Sequence, residues 1–464
     1  MKRPLDMTKG PLLPSIIRYT IPVILTSILQ LLFNAADLVI VGRFCGSVSV
    51  AAVGATGAVT ALMVNLFIGL SIGVGVAVAQ GLGAEDNMEV HRTVHTAIPA
   101  ALISGLFLTV LGLFLTDPLL RLMGTPETVL PLSATYMKLY FCGMVFSMLY
   151  NFASSILRAA GDTRSPLVFL TIAGVVNVAL NVIFVTVFDL NVAGVALATA
   201  ISQAVSAVLV VIVLTRRTDA CYLNLREMKI YKPQLLKIIR IGLPAGIQSS
   251  LFSISNVIIQ SSVNSFGDIF MSGHAAAGNI EGFVYVALNA FQQAAVNFTG
   301  QNEGAKNYKR VGQTFWTCLG CVTVVGLTLG PIVYSFGPQL LSIYITDSTE
   351  AIGYGMIRMS FILLPYFLCG LMDVATGSLR GMGSSVAPMI ISILGVCGLR
   401  LLWIFTIFQI PQFHTPQCLY FSYTISWSAT FLIEFVSFLV LLKKKKRLTA
   451  AAYGVLYDHP CIAL

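Results

Sequence analysis

The chain says the same thing twice. Pro22 in RYTIPVILTSILQLLFN and Pro244 in RIGLPAGIQSSLFSISN lie 222 residues apart. Arg158 in SILRAAGDTRSPL and Arg380 in GSLRGMGSSVAP share that offset, and so do Pro166 and Pro388. Gln80 in VAVAQGLGAE and Gln301 in VNFTGQNEGAK are 221 apart. Each copy is mostly apolar and long enough for several membrane crossings. A duplicated polytopic unit is a recurrent build of secondary transporters, with the substrate site between the copies.

The composition agrees with a membrane setting. The 464 residues are 56% hydrophobic and 10% charged, against about 25% charged in soluble domains. A helix needs about 20 apolar residues to cross a bilayer. Twelve such spans are expected, near 14–40, 50–79, 94–116, 132–156, 166–188, 193–214, 237–265, 273–299, 312–337, 353–378, 386–408 and 419–442. The expected fold is therefore an all-α integral membrane protein. Six spans fall in a first lobe (1–215) and six in a second (237–442). The charged segment 216–236 links them on the cytoplasmic side, and a basic cytoplasmic tail follows at 443–464. An even number of spans per lobe gives the copies parallel topology, so a pseudo-twofold axis along the membrane normal should relate them.

The net charge of +9 reads as topology. With both termini in the cytoplasm, 23 of the 28 Lys and Arg fall on the inner side. Arg43, Arg121, Lys138 and Arg358 then lie at outer ends, and Arg400 in mid-span. That bias sets orientation. The acids Asp117, Glu127, Asp189, Asp268, Asp347 and Glu350 scatter on the outer side. No cleavable leader is evident, which points to a multi-pass protein of the cell's inner (plasma) membrane. A nucleic-acid partner is not expected, because the basic residues sit at span ends. Nothing in the sequence signals an oligomer, so a monomer is expected. The pair Cys318 and Cys321 lies in an apolar span with no second pair, so no metal or redox role is assigned. The terminal CIAL looks like a prenylation box, but a twelve-span protein gains nothing from a lipid anchor. GLSIG at 69–73 matches a hydrolase elbow but lies in mid-span, without the strand–turn–helix context it needs. No enzyme motif is found.

Polar side chains inside a span must face a cavity or a partner, so their spacing is informative. Gln30, Asn34 and Asp37 share a face of the first span. Asn177 and Asn181 are one turn apart in the fifth. Thr199, Ser202, Gln203 and Ser206 line up in the sixth. Gln248, Asn256, Gln260 and Asn264 do so in the seventh, and Glu281, Tyr285, Asn289, Gln293 and Asn297 in the eighth. Single amides often serve as glue between helices; five polar faces together imply a water-filled cleft. The expected lining includes Gln30, Thr199, Ser202, Gln203, Asn256, Gln260, Tyr285, Asn289 and Gln293. Asp37, Glu281, Asp373, Arg400 and Glu434 lie within spans. A charge there costs on the order of 2.5–3.5 kcal/mol on insertion scales. Asp37 has no base near it in its lobe and is the candidate to bind and release a cation. Glu281, Asp373 and Arg400 are expected to form one charge network in the second lobe. Glu434, near the inner end of the last span, is read as reaching the interface.

IPVILTSILQLLFNAADLVIVGRF, LRAAGDTRSPL, NVALNVIFV, NVAGVALATAISQ and LRGMGSSVAP resemble segments of the multidrug and toxic compound extrusion (MATE) transporters. The DinF-like branch fits better than the NorM branch, and the likeness spans 10–442. The resemblance implies a V-shaped pair of six-helix bundles. It also implies export of amphipathic, often cationic organic compounds in exchange for inward H+ or Na+, with no other cofactor. The family's first-span acid in N-x-x-D falls on Asp37, with Asn34 beside it. Its fifth-span N-x-x-x-D falls on Asn177 and Asn181, where Asn181 replaces a titratable acid. Its sixth-span hydroxyl falls on Thr199 or Ser202, and its tenth-span acid on Asp373. The NorM-type acid of the seventh span has no counterpart around Phe252, and Glu281 and Arg400 fit neither pattern. An alternative within the same superfamily is a flippase for lipid-linked oligosaccharides. That substrate calls for a cationic cavity, and the groups above are chiefly acids and amides.

Overall fold

Backbone groups in hydrocarbon must bond within their own segment, and the described residues accordingly form helices and no strand. The computed structural model describes residues 5–346 and 348–452, the side chains of Ser47, Ala58, Val59 and Ala452 excepted. Asp347 and the terminal CIAL lie outside the described residues. The first lobe comprises α1 (Leu12–Phe44), α2 (Ser47–Gly83), α3 (Asn87–Leu122), α4 (Leu130–Cys142), α5 (Met144–Ala159), α6 (Arg164–Thr186) and α7 (Asn191–Thr215). The second comprises α8 (Lys232–Asn264), α9 (Asp268–Gly304), α10 (Tyr308–Ser335), the short α11 (Gly337–Ser342), α12 (Thr349–Ile362), α13 (Tyr366–Gly381), α14 (Val386–Ser392), a π-helical turn (Ile393–Gly398), α15 (Leu399–Phe405) and α16 (Pro416–Ala452).

Among the described residues, nine helices are long and apolar enough to cross a membrane alone. The pairs α4–α5 and α12–α13, bent by 46° and 45°, raise the number to eleven. The twelfth span is α9. Its 37 residues reach about 55 Å, but His274, Glu281, Asn289, Gln293 and Asn297 make it the most polar of the set. Most helices run a few residues beyond the expected spans; α8 begins inside the segment read as linker, at Lys232, and α16 runs on through the basic tail to Ala452. The linker itself is clamped. Arg217 is buried and ion-paired to Asp219, Asn224 donates its backbone N–H to His95 Nε2 at 3.0 Å, and Tyr231 donates its own to Thr96 Oγ1 at 3.1 Å.

The duplication reaches backbone detail. α2 and α9 are both 37 residues long, and each follows a glycine in the left-handed region, Gly46 (φ 85°) and Gly267 (φ 90°). α3 and α10 are capped alike: Asp86 accepts from the Glu89 N–H and Asn307 from the Arg310 N–H. Such caps satisfy the donors a helix start leaves free. The copies part company after α5 and α13. α6 is a continuous α-helix, whereas its counterpart is broken by the π turn Ile393–Gly398, a feature that concentrates at functional sites.

Small residues let the lobes meet. A Cβ on Gly69 would lie 2.2 Å from the Gly246 nitrogen, and one on Gly73 2.3 Å from the Ile238 carbonyl oxygen. Across the crossing of α2 and α9 the contacts are reciprocal: a Cβ on Gly83 would meet the Gln301 carbonyl oxygen at 1.8 Å, and one on Gly304 the Gln80 carbonyl oxygen at 2.0 Å. Both pairs are repeat-related, so the pseudo-twofold axis passes between them. On the other flank Asn297 donates to the Tyr19 hydroxyl at 2.8 Å, and Tyr19 meets Phe298 edge-on. The start of the chain seals the same end. Met7 is fully buried; its N–H donates to Gln301 Oε1, and its carbonyl accepts from Asn302 and Arg310. Towards the opposite end the helices part. Gln30 and Asn34 on α1 and Asn256 and Gln260 on α8 are exposed, and Gly54 and Gly57 on α2 have nothing within 4 Å of where a Cβ would sit. The molecule is thus joined at one end and cleft at the other.

Gly83→Ala should lower the thermal stability of the purified protein by roughly 1–3 kcal/mol, the usual cost of overpacking, because the new methyl must displace backbone. Gly54→Ala, in open space, should leave the melting temperature unchanged. Equal melting curves for the two variants would disprove the close-packed crossing.

Candidate functional site

In the first lobe, α1 is set against α6 by the Phe33 ring, which packs on Gly174 where any side chain would collide. One turn further along α1 and two along α6, this contact brings Asp37 to the amide of Asn181. Asn181 donates to Asp37 Oδ1 at 2.5 Å and to Asn177 Oδ1 at 3.2 Å. Asn177 in turn donates to Thr199 Oγ1 at 3.4 Å, and Thr199 donates to its own helix at the Val195 carbonyl. Asn177 and Asn181 are buried, and Asp37 is half-buried. Among the described residues no base forms an ion pair with Asp37. Ile40, Val41, Val185, Val192 and Val195, with Tyr136 packed against them, close off one side. The result is a carboxylate held by amide donors alone, beside an orphaned carbonyl, Asn181 Oδ1. An uncompensated acid of this kind can bind either a proton or a small cation.

Asn34 belongs to the cleft rather than to this chain of bonds. It is exposed, and its side chain makes no hydrogen bond among the described residues. Gln30, Asn256 and Gln260 are exposed too, with Gln260 bonded to Asn264 at 2.9 Å. Ser202 is buried and donates to the Thr199 carbonyl, while Gln203 is half-buried with its Oε1 near Gly143. Tyr285, Asn289 and Gln293 are half-buried along α9. Tyr285 stacks on Tyr366, Asn289 donates to Gln292 Oε1 at 2.7 Å, and Gln293 donates to Asn289 Oδ1 at 3.3 Å.

The single network expected of Glu281, Asp373 and Arg400 is replaced by separate sites. Glu281 takes Arg358 as its partner, with contacts of 2.7 to 3.1 Å from Nε and a terminal nitrogen, and Arg358 also contacts His274. Arg400 donates to Ser426 Oγ at 2.9 Å and lies 3.9 Å above the Tyr423 ring, with Trp427 alongside. It is a buried cation on aromatic faces, an arrangement that supplies charge stabilisation without an acid. Asp373 faces inward with one carboxylate oxygen lacking any hydrogen-bond partner among the described residues. Glu434 does not reach the interface. It is fully buried, and accepts from Thr376 and Ser392.

Spacing within one helix cannot show which neighbour that helix faces, so Arg358 was missed as the partner of Glu281. The available signal was an arginine inside the apolar run MIRMSFI. His91, His95 and Glu227 place three possible metal-ligand atoms within 4.8 Å of one another. The two ring nitrogens of His95 already bond the His91 carbonyl and the Asn224 N–H; the cluster ties linker to α3.

Two repeat-related bundles, a sealed end, an open cleft and a lone acid at its wall define a multi-pass membrane transporter. A family model described as MatE matches residues 22–183 and 244–406, and the chain belongs to that family. It is 28% identical over 397 residues to "Probable multidrug resistance protein YpnP" of Bacillus subtilis, an alignment covering 85% of this chain and 88% of that one. It is 23% identical to "Multidrug export protein MepA" of Staphylococcus saprophyticus, covering 83% and 85%. Among solved structures it shares its fold with a MATE transporter crystallised in complex with MaL6 (TM-score 0.89, 21% identity, 96% and 100% coverage). An outward-facing MATE family multidrug transporter gives the same TM-score and identity, covering 96% and 99%.

Proposed function

We propose that the protein exports amphipathic, cationic organic compounds across the cell's inner membrane in exchange for inward H+ or Na+, by alternating access of the cleft. The observation that carries this reading is Asp37. It is an acid without a base, bonded to Asn181, on a helix that touches both α6 of its own lobe and α9 of the other. Binding a cation there changes the charge on a helix that packs on both lobes. Occupancy of the site and position of the lobes are thereby linked, which is the minimum an antiporter requires. Asn177, Asn181 and Thr199 orient the carboxylate. The exposed amides Gln30, Asn34, Asn256 and Gln260 give the organic substrate a wetted, weakly polar wall. With both termini cytoplasmic, as the Lys and Arg distribution favours, the sealed end faces inward and the cleft outward. The multidrug names of the relatives support the substrate class.

Expression in cells stripped of their own efflux pumps tests the reading. Accumulation of a cationic dye should fall, and lipid-linked sugar precursors should stay at the control level. Unchanged dye with altered precursor levels would replace the exporter by a flippase.

A further inference from the structure

The second lobe contains a buried charge cluster that the proposed function does not use. Glu434 on α16 has no exposed surface. Thr376 Oγ1 donates to its two oxygens at 2.9 and 2.8 Å, and Ser392 Oγ donates to Oε1 at 2.8 Å. On α13, Asp373, Thr376 and Arg380 recur at spacings of three and four, and so share a helix face. Arg380 is 5% exposed; one terminal nitrogen donates to Gln248 Oε1 at 2.7 Å, and its Nε has no partner. Asp373 is 7% exposed, with Oδ2 unpartnered. Among the described residues neither acid forms an ion pair with Arg380, but Thr376, which bonds Glu434, lies between Asp373 and Arg380 on that face and brings the three groups into one cluster.

We propose that Glu434 and Asp373 share one exchangeable proton against the single charge of Arg380, giving the second lobe a proton-binding unit of its own. Two carboxylates and one guanidinium sealed from water carry a net negative charge when both acids are ionised, and none when one is protonated. Low-dielectric surroundings favour the neutral arrangement, and two such acids titrate as one unit. The contacts around Glu434 suit both states, because hydroxyls donate to a carboxylate and accept from a carboxylic acid. The charged groups facing Glu434 are Arg380 and Asp373, both from α13. α14 offers only Ser392, and the π turn only the Cys397 thiol. α10 offers the thiols of Cys318 and Cys321. Arg358 of α12 and Arg400 of α15 are taken up by Glu281 and by Ser426 with Tyr423.

The proton has a mechanical outlet. Ser392 is the last residue before the π turn Ile393–Gly398, and a Cβ at Gly395 of that turn would strike Thr430 Oγ1, one helical turn from Glu434 on α16. A change in the Glu434–Ser392 bond therefore acts at the most deformable point of the span. The role of this proton in transport rests on the exporter reading; its existence does not.

Infrared difference spectra of the purified protein, titrated with acid and needing no substrate, test the proposal. The wild type should show a protonated-carboxyl band that Glu434→Gln and Asp373→Asn each remove and Asp37→Asn leaves in place. Thr376→Val and Ser392→Ala keep every carboxylate and should shift the midpoint of that band, which decides the matter if Glu434→Gln does not fold. A Glu434→Gln spectrum retaining the full wild-type titration, or hydroxyl variants with an unmoved midpoint, would overturn the proposal. In proteoliposomes, loss of pH-driven export in Glu434→Gln assigns the proton to transport, and export equal to wild type refutes that assignment while leaving the exporter reading intact. If the wild type exports nothing, the exporter reading fails and the infrared result still decides the proton.

Discussion

Asp37→Asn is expected to bring export to background while leaving the protein expressed and folded. Asparagine keeps the size of the side chain and can still accept a hydrogen bond from Asn181, so the packing of α1 on α6 survives. It cannot ionise, and among the described residues no second carboxylate backs it: the fifth-span position that would carry one is Asn181. In the proposed mechanism, cation binding at that wall therefore rests on one carboxylate. Dye efflux from cells lacking their own pumps, with protein level measured in the same membranes, checks the result. Full efflux by the variant would remove Asp37 from the mechanism.

Glu281→Gln is expected to have the largest effect on stability. It leaves the Arg358 guanidinium, whose side chain is 12% exposed, without its acid between α9 and α12. Breaking one half of a buried ion pair costs roughly 3–5 kcal/mol, because the survivor is an uncompensated charge. His274 cannot substitute: it already meets the Tyr420 hydroxyl at 2.9 Å and supplies no negative charge. Replacing both members, Glu281→Leu with Arg358→Leu, should recover most of the loss, since apolar pairs of similar volume are tolerated where ion pairs stood. Thermal unfolding of the three proteins in one detergent measures this. A single variant that melts with the wild type would show that the pair does not hold the two helices together.

What could be read from the chain follows from which regularities are local. An offset of 222 residues is legible in the linear sequence and marks the two lobes, and the apolar stretches mark the spans. Polar residues one turn apart on one helix are equally visible, which is why Asn177 and Asn181 stood out before any coordinates. Pairings between helices are another matter. The sequence places Glu281, Asp373 and Arg400 in one lobe but not on facing sides, and its linear order puts Arg358, the partner of Glu281, at an outer end. The tenth span begins at Thr349 and bends after Ile362, so Arg358 lies deeper than a straight span beginning at residue 353 suggests. Glu434 was misplaced for a similar reason. The basic run at 443–447 reads as the end of a helix, but α16 continues to Ala452, and Glu434 sits well inside it. The π turn in the eleventh span left no mark in the periodicity, because one extra residue per turn over six residues is lost in a uniformly apolar run.

The central claim is that a cation gradient drives an organic compound out through the cleft, with Asp37 as the group that binds the cation. Proteoliposomes holding the purified protein, with a pH gradient and a Na+ gradient imposed separately, test it most directly. One of the two gradients should drive uphill movement of a cationic dye in the wild type, and neither should do so in Asp37→Asn. Dye movement that ignores both gradients, or that persists uphill in Asp37→Asn, would contradict the account.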